Sequence, residues 1–328
     1  MLDRVKKGAG SLLRSPRVHE VLVRLFRDTA VTGRGSDACL RHGYLPVPVH
    51  FHSPVPDLAD LEQRKVWDAR SGLPGIDFRE EAQLSLLGEL GERYSGECRW
   101  PLDPGEESAA FYLRNVSFSY GCAASTHCMI RHFCPRRVIE VGSGMSSRVI
   151  SAALRTNGSD HPSEYRIVDP YPGDPVRSGT IAFSGLVERR VELVEPEFFA
   201  SLRENDILFI DSGHCVRIGG DVNHLFLEVL PRLAPGVVVH VHDVCLPYEY
   251  PKVYATSETF RQFWTEQYLL QAFLSGNREF EVLLTMHYLM TDHSQRFREA
   301  FPHYDPAVHP YTSGSFWIRR KPAGGESR

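Results

Sequence analysis

No run of about 18 apolar residues interrupts this 328-residue chain, so no membrane-spanning helix is expected. The opening carries no charged-then-apolar leader, which directs the expectation to the cytoplasm. Cysteine is sparse and unpatterned. Cys39, Cys98, Cys122, Cys128, Cys134, Cys215 and Cys245 are odd in number and include no CxxC pair, so neither a disulfide framework nor a cysteine-built zinc site is indicated, and reduced thiols in the core are expected. Charge of one sign is also missing: the formal net charge of −4 gives no reason to expect nucleic acid. Repeats and low-complexity tracts are absent as well. With 42% hydrophobic residues, the chain can bury a core of one large domain plus an extension.

Three regions follow from the patterning. Residues 1–107 read as an N-terminal extension. It begins with a basic arm, "MLDRVKKGAGSLLRSPRVHEVLVRLFRD", in which Gly8, Gly10 and Pro16 break the helical pattern; a loose docking arm is expected, with peripheral membrane contact as the alternative. A proline-rich segment and the helix-like "DFREEAQLSLLGELGERY" complete the extension. Residues 108–320 alternate helix-like and strand-like segments, with strands expected at "RVIEVG", "YRIVDPYP", "VELVE", "DILFIDSGH" and "GVVVHVHDV". That rhythm predicts an α/β fold with a mostly parallel sheet covered on both faces. Two further strand-like runs, "FEVLLTMHYLM" and "GSFWIRR", enclose no convincing helix and predict an antiparallel end. Residues 321–328 read as a flexible tail.

In an open α/β sheet ligands bind beyond the carboxyl ends of the strands. The segment "RRVIEVGSGMSS" puts Glu140, Gly142, Ser143 and Gly144 at such an end, where glycines let the backbone approach a ligand and the N-terminus of the next helix offers free N–H groups. A turn that merely packs tightly is the other reading. Glu140 sits at a buried strand end, which a carboxylate tolerates only when paired, and a cationic ligand group would pair it. Asp169 ends the next strand, placed for ribose hydroxyls or for a helix cap. The run Gly142, Gly144 continues with Ser146 and not with the third glycine of GxGxxG, which disfavours a nicotinamide-dependent oxidoreductase.

The pattern "VIEVGSG", Asp169, "FIDSGH" and "PRLAPGVVVHVHD" resembles the class I S-adenosylmethionine-dependent methyltransferases, in particular a bacterial subgroup met in biosynthetic clusters. The resemblance implies a Rossmann-like, seven-stranded sheet with an antiparallel last strand. It implies that Glu140, Gly142, Ser143 and Gly144 line the methionine end of S-adenosylmethionine, with Asp169 on its ribose and Asp211 beside it.

Asp211 and Asp243 end the fourth and fifth strands, and two facing carboxylates call for a cation. This resembles the catechol-type O-methyltransferases, whose aspartates at these tips hold Mg²⁺ and whose basic residue three positions after the first takes the acceptor proton. The matching residues are Asp211, Asp243 and His214, with His242 a further ligand, a second base or a structural histidine. Those enzymes carry an asparagine ligand after the second aspartate, where this chain has Val244. His214 is expected as general base with Asp211 beside it, a loop-capping role being the alternative. Tyr248 and Tyr250 are expected over the acceptor, or packing their own loop. His50 and His52 make an incomplete metal site. Cys122 and His127 stand at the cofactor or acceptor entrance, where the subgroup favours an acidic and an aromatic residue. The expected activity is methyl transfer to a small-molecule hydroxyl; an N-methyltransferase and a cofactor-binding protein without transfer activity remain open, as does a homo-oligomer.

Overall fold

The computed structural model describes residues 15–105, 109–258, 261–308 and 313–323. The basic arm over residues 1–14 and the end of the expected tail, 324–328, lie outside the described residues. The chain divides into two compact units, residues 1–67 with 253–263, and residues 68–252 with 264–328.

The first unit contains α1 (Pro16–Thr32), a 17-residue helix closed by Gly33 at φ 73°. Pro16 stands at the helix boundary, as its first residue, with Ser15 extended before it. Proline at the first helical position lacks only an N–H that would have no partner there, and its fixed φ suits the helix. None of the helix is buried, and Val21, Val23, Leu25 and Phe26 are exposed on it. His50 and His52 lie in a turn of this unit, with His52 N–H donating to His50 Nδ1 at 3.3 Å.

The second unit is built on a seven-stranded sheet: β1 (Arg137–Val141), β2 (Glu164–Val168), β3 (Gly185–Val187), β4 (Ile207–Ile210), β5 (Val238–Val241), β6 (Phe280–Thr285) and β7 (Phe316–Arg320). Their spatial order is β3-β2-β1-β4-β5-β7-β6; β1 to β5 are parallel, and β7 runs antiparallel to both its neighbours. The two-residue alternation of each strand divides the core between the faces. Val138, Ile207, Phe209 and Trp317 pack with α2 (Glu80–Tyr94), α3 (Tyr120–Phe133) and α4 (Met145–Asn157). Ile139, Val141, Leu208, Ile210 and Val239 pack on the other face with α5 (Asp221–His224), prolonged by tighter and looser turns to Arg232, and with α6 (Glu266–Leu274).

Two expectations are corrected. "VELVE" is not a strand: Val191–Leu193 forms a 3-10 turn, and the edge strand is the preceding Gly185–Val187, too short to show alternation in sequence. The run "FEVLLTMHYLM" is a strand only to Thr285, after which α7 (Met286–Asp292) and α8 (Ser294–Ala300) cross to β7. Met286, Leu289 and Met290 are buried at the i, i+3, i+4 spacing of one helix face, as are Phe297, Ala300 and Phe301.

Candidate active site

Strand order reverses between β1 and β4, and the site residues gather at the carboxyl ends of these strands and their neighbours. After Val141 the chain turns at Gly142, whose φ of 83° is natural only to glycine. A Cβ there would lie 1.8 Å from the carbonyl oxygen of Asp211, so β1 and β4 meet without room for a side chain. The turn is tied to β2: Ser143 donates to Asp169 Oδ2 through its N–H at 2.8 Å and its hydroxyl at 2.5 Å, and Tyr171 N–H donates to Oδ1 at 2.7 Å. Gly144 leads into α4, its N–H donating to Ser147 Oγ at 3.1 Å, and its Cα faces open space.

Glu140 is completely buried. Three hydroxyls of the chain pair with it: Ser146 donates at 2.6 Å, Ser147 at 2.7 Å, and Tyr165 makes a third bond. Burial pushes its carboxyl up to about 7 even though all three hydroxyls favour the ionised form. Below pH 4.5 folded and unfolded chains both hold this proton and the contribution to stability is complete. Between about 4.5 and 7 only the folded chain keeps it, so stability falls by about 1.4 kcal/mol per pH unit, some ~3 kcal/mol in all. Urea unfolding at a series of pH values is expected to show this slope in the wild type and not in Glu140→Gln; parallel curves would mean that Glu140 ionises alike in both states.

At the next tips, Asp211 N–H donates to Val141 O and His242 N–H to Ile210 O, both at 2.9 Å, continuing the ladder to the site. His214 and Asp243 take φ of 54° and 56°, strained values for residues with a side chain that recur where a site over-determines the backbone. His214 Nδ1 lies 2.8 Å from Glu266 Oε2, and its Nε2 faces Asp211 at 3.3 Å and Asp243 at 3.6 Å. Burial disfavours a charged imidazole, but Asp211, Glu266 and Asp243 outweigh it and hold His214 well above its ordinary value. Burial likewise opposes ionisation of Asp211, and His242 with His214 reverses that, holding the carboxyl well below the usual range. The carbonyl of His214 also accepts from Thr265 N–H at 2.9 Å and Glu266 N–H at 3.1 Å.

Asp211, His214, His242 and Asp243 thus come together, with Asp211 joining them to the glycine turn. Other residues take these places. Tyr248 donates to Asp292 at 2.5 Å, and Tyr250 is buried edge-on to Trp264 and Tyr268, its hydroxyl accepting from Gln267 N–H at 3.0 Å. His240 stacks on Phe209 with ring centroids 3.9 Å apart, and burial holds it well below its usual value. Cys122 is buried beside His242, whereas His127 is not at the strand tips but pairs with Glu97 at 2.7 Å and packs against Trp100. Val244 is buried and donates its N–H to Gly314 O. Two neighbours of His214 escape a sequence reading: Glu266, and Trp264, whose ring lies 4.5 Å away. Both follow the site loop by some fifty residues with no motif to mark them.

A parallel α/β sheet with this order and a reversed last strand, carrying a glycine turn between two acidic strand tips, is the Rossmann-like methyltransferase fold. Residues 139–244 match a methyltransferase domain family. An uncharacterized protein of Archaeoglobus fulgidus is 30% identical over 181 residues, 53% of this chain and 81% of the relative. The SAH-bound methyltransferase of Podospora anserina is similar at 14% identity, over 84% of this chain and 98% of that one, with a TM-score of 0.35. A candidate methyltransferase of Thermobifida fusca is similar at 15% identity, over 61% and 82%, with a TM-score of 0.37. Among the described residues no helix is long and apolar enough to cross a membrane.

Proposed function

We propose that this chain transfers the methyl group of S-adenosylmethionine to a hydroxyl oxygen of a small molecule. The observation that supports this most is the backbone contact between Gly142 and Asp211, which sets the glycine turn directly beside the four-side-chain cluster. The residues fit the cofactor. Gly144 opens on free space, Ser212 Oγ is buried next to Asp211 with no hydrogen-bond partner, and Asp169 Oδ1 accepts one N–H and keeps a lone pair. Gly142, Ser143 and Gly144 would hold the methionine part and Asp169 the ribose, with Glu140 shaping the turn from beneath. When bound, the cofactor supplies a methyl group activated by its sulfonium.

The chain's own work is to position and deprotonate the acceptor. His214, oriented through Nδ1 by Glu266, would take the acceptor proton at Nε2 only in its neutral form, so turnover should rise with pH through its raised value, and Asp211 and Asp243 fix the hydroxyl, directly or through a divalent cation such as Mg²⁺ held with His242. Calorimetry is expected to show binding of S-adenosylmethionine and none of NAD, and labelled cofactor is expected to methylate hydroxyl-bearing metabolites. Asp169→Ala should weaken cofactor binding by about 1.5 to 3 kcal/mol, the value of charged hydrogen bonds. A wild-type chain that does not bind S-adenosylmethionine would overturn the reading; unchanged affinity in Asp169→Ala would remove that residue from the site.

A further inference from the structure

The first unit exposes apolar residues that its own packing does not cover. Of the twenty large apolar side chains exposed among the described residues, eleven fall between Val21 and Phe51. Over residues 15–67 of the same unit, Cys39 is the only one buried. A stretch with so little core cannot keep its apolar side chains from water by itself, and so dense an exposed set marks a surface made for contact.

On α1 this exposure has a direction. Val18, Val21, Leu22, Leu25 and Phe26 recur at the i, i+3, i+4, i+7, i+8 spacing of one helix face, none of them buried, with Leu25 61% exposed. Arg17, Glu20, Arg24, Arg27 and Asp28 share the other side, where Glu20 pairs with Arg24 at 3.1 Å. Phe26 meets Tyr44 edge-on with ring centroids 5.9 Å apart, which sets the start of the following loop beside the apolar face. That loop adds Leu45, Val47 and Val49, all exposed, and reaches Phe51, 83% exposed between the rings of His50 and His52. Charge is concentrated in the same place. Residues 1–53 hold nine lysines and arginines against four acidic residues, a net +5, while the rest of the chain carries −9.

We propose that residues 15–53 dock on an anionic lipid bilayer, with α1 lying in its surface, Leu25, Phe26 and Phe51 entering the acyl boundary, and Arg17, Arg24 and Arg27 reaching the headgroup phosphates. A 17-residue helix with one charged side is too short and too polar to span, so it lies flat. Two features favour a bilayer over a second copy of this chain. The apolar set runs from a helix into a loop broken by Pro46 and Pro48, and a fluid surface takes both without a complementary shape. Arginines beside an apolar face, on the positive end of the chain, match a layer of phosphates above hydrocarbon. The surface stands apart from the methyl-transfer reading and does not depend on it.

The test uses the full chain in co-sedimentation with vesicles of phosphatidylcholine alone, or with about one-third phosphatidylserine, at low and at high salt. The anionic vesicles are expected to bind the chain at least about 10-fold more tightly than the neutral ones, and the difference to fade at high salt, where surface charges are screened. Leu25→Glu combined with Phe51→Ser should lower binding at least about 10-fold, since two apolar side chains no longer leave water. Arg17→Gln, Arg24→Gln and Arg27→Gln together should weaken binding to the anionic vesicles alone, by about 5-fold for each charge. Circular dichroism checks the fold of each variant, and the wild-type comparison of the two lipids decides the matter should any of them misfold. No binding to anionic vesicles at low salt, equal binding to neutral ones, or folded variants that bind like the wild type would each overturn the proposal. So would self-association without lipid that is lost in the Leu25→Glu, Phe51→Ser variant while vesicles stay unbound, which would assign the surface to a second copy.

Discussion

His214→Ala is expected to lower turnover on a hydroxyl acceptor by about 10²- to 10⁴-fold and to leave S-adenosylmethionine affinity nearly unchanged. The side chain is fixed at both nitrogens, Nδ1 by Glu266 and Nε2 between Asp211 and Asp243, so its loss removes the group on which acceptor deprotonation depends. No hydrogen bond from its ring reaches the glycine turn or Asp169, which is why the cofactor end is spared. The loss should shrink for an acceptor already ionised at the assay pH, since such a substrate has no proton to give. Turnover against a series of acceptors of differing acidity makes the comparison, with calorimetry for the cofactor. Near-wild-type turnover on a neutral alcohol would make His214 structural and leave His242 as the next group to test.

Gly142→Ala is expected to destabilise the fold by on the order of 3 to 5 kcal/mol, at the upper end for a single substitution. Two costs combine. Alanine is strained at a φ of 83°, and its methyl group would meet the Asp211 carbonyl, which is backbone and has no flexible end to yield. Relief would require β1 and β4 to separate where Asp211 N–H donates to Val141 O. Gly144→Ala is the control: no atom lies within 4 Å of its added Cβ and its φ of 171° is extended backbone, so its stability should stay close to wild type. Urea unfolding of the two variants side by side measures the contrast, and a Gly142→Ala protein as stable as Gly144→Ala would refute it.

The strand tips were legible in the sequence because each sits where an apolar run meets a polar residue, as in "VIEVG", "RIVDP", "LFIDS" and "VHVHD". Their gathering at one edge follows from parallel topology alone. Glu266 was not legible, because its nearness to His214 depends on how the chain returns after β5, which local patterning does not encode. The hydroxyls around Glu140 illustrate a different limit: Ser146 and Ser147 stand in plain view beside the glycines, but Tyr165 arrives from β2, and only register brings it under the turn. The α7 and α8 helices were missed because Met286, Tyr288, Leu289 and Met290 prolong the apolar run of β6, and a short apolar run has no period of its own.

The carbonyl of His214 receives the amides of both Thr265 and Glu266. The loop leaving β4 and the first turn of α6 are therefore clasped by main chain as well as by the imidazole, and the three bonds break together or not at all. Access to the inner face of His214 is then a local unfolding event and not a side-chain rotation, which moves it from nanoseconds toward the slower regime of cooperative opening. The protons on those two amides are its clock: their exchange with solvent would run in step, at the frequency with which this corner of the molecule comes apart.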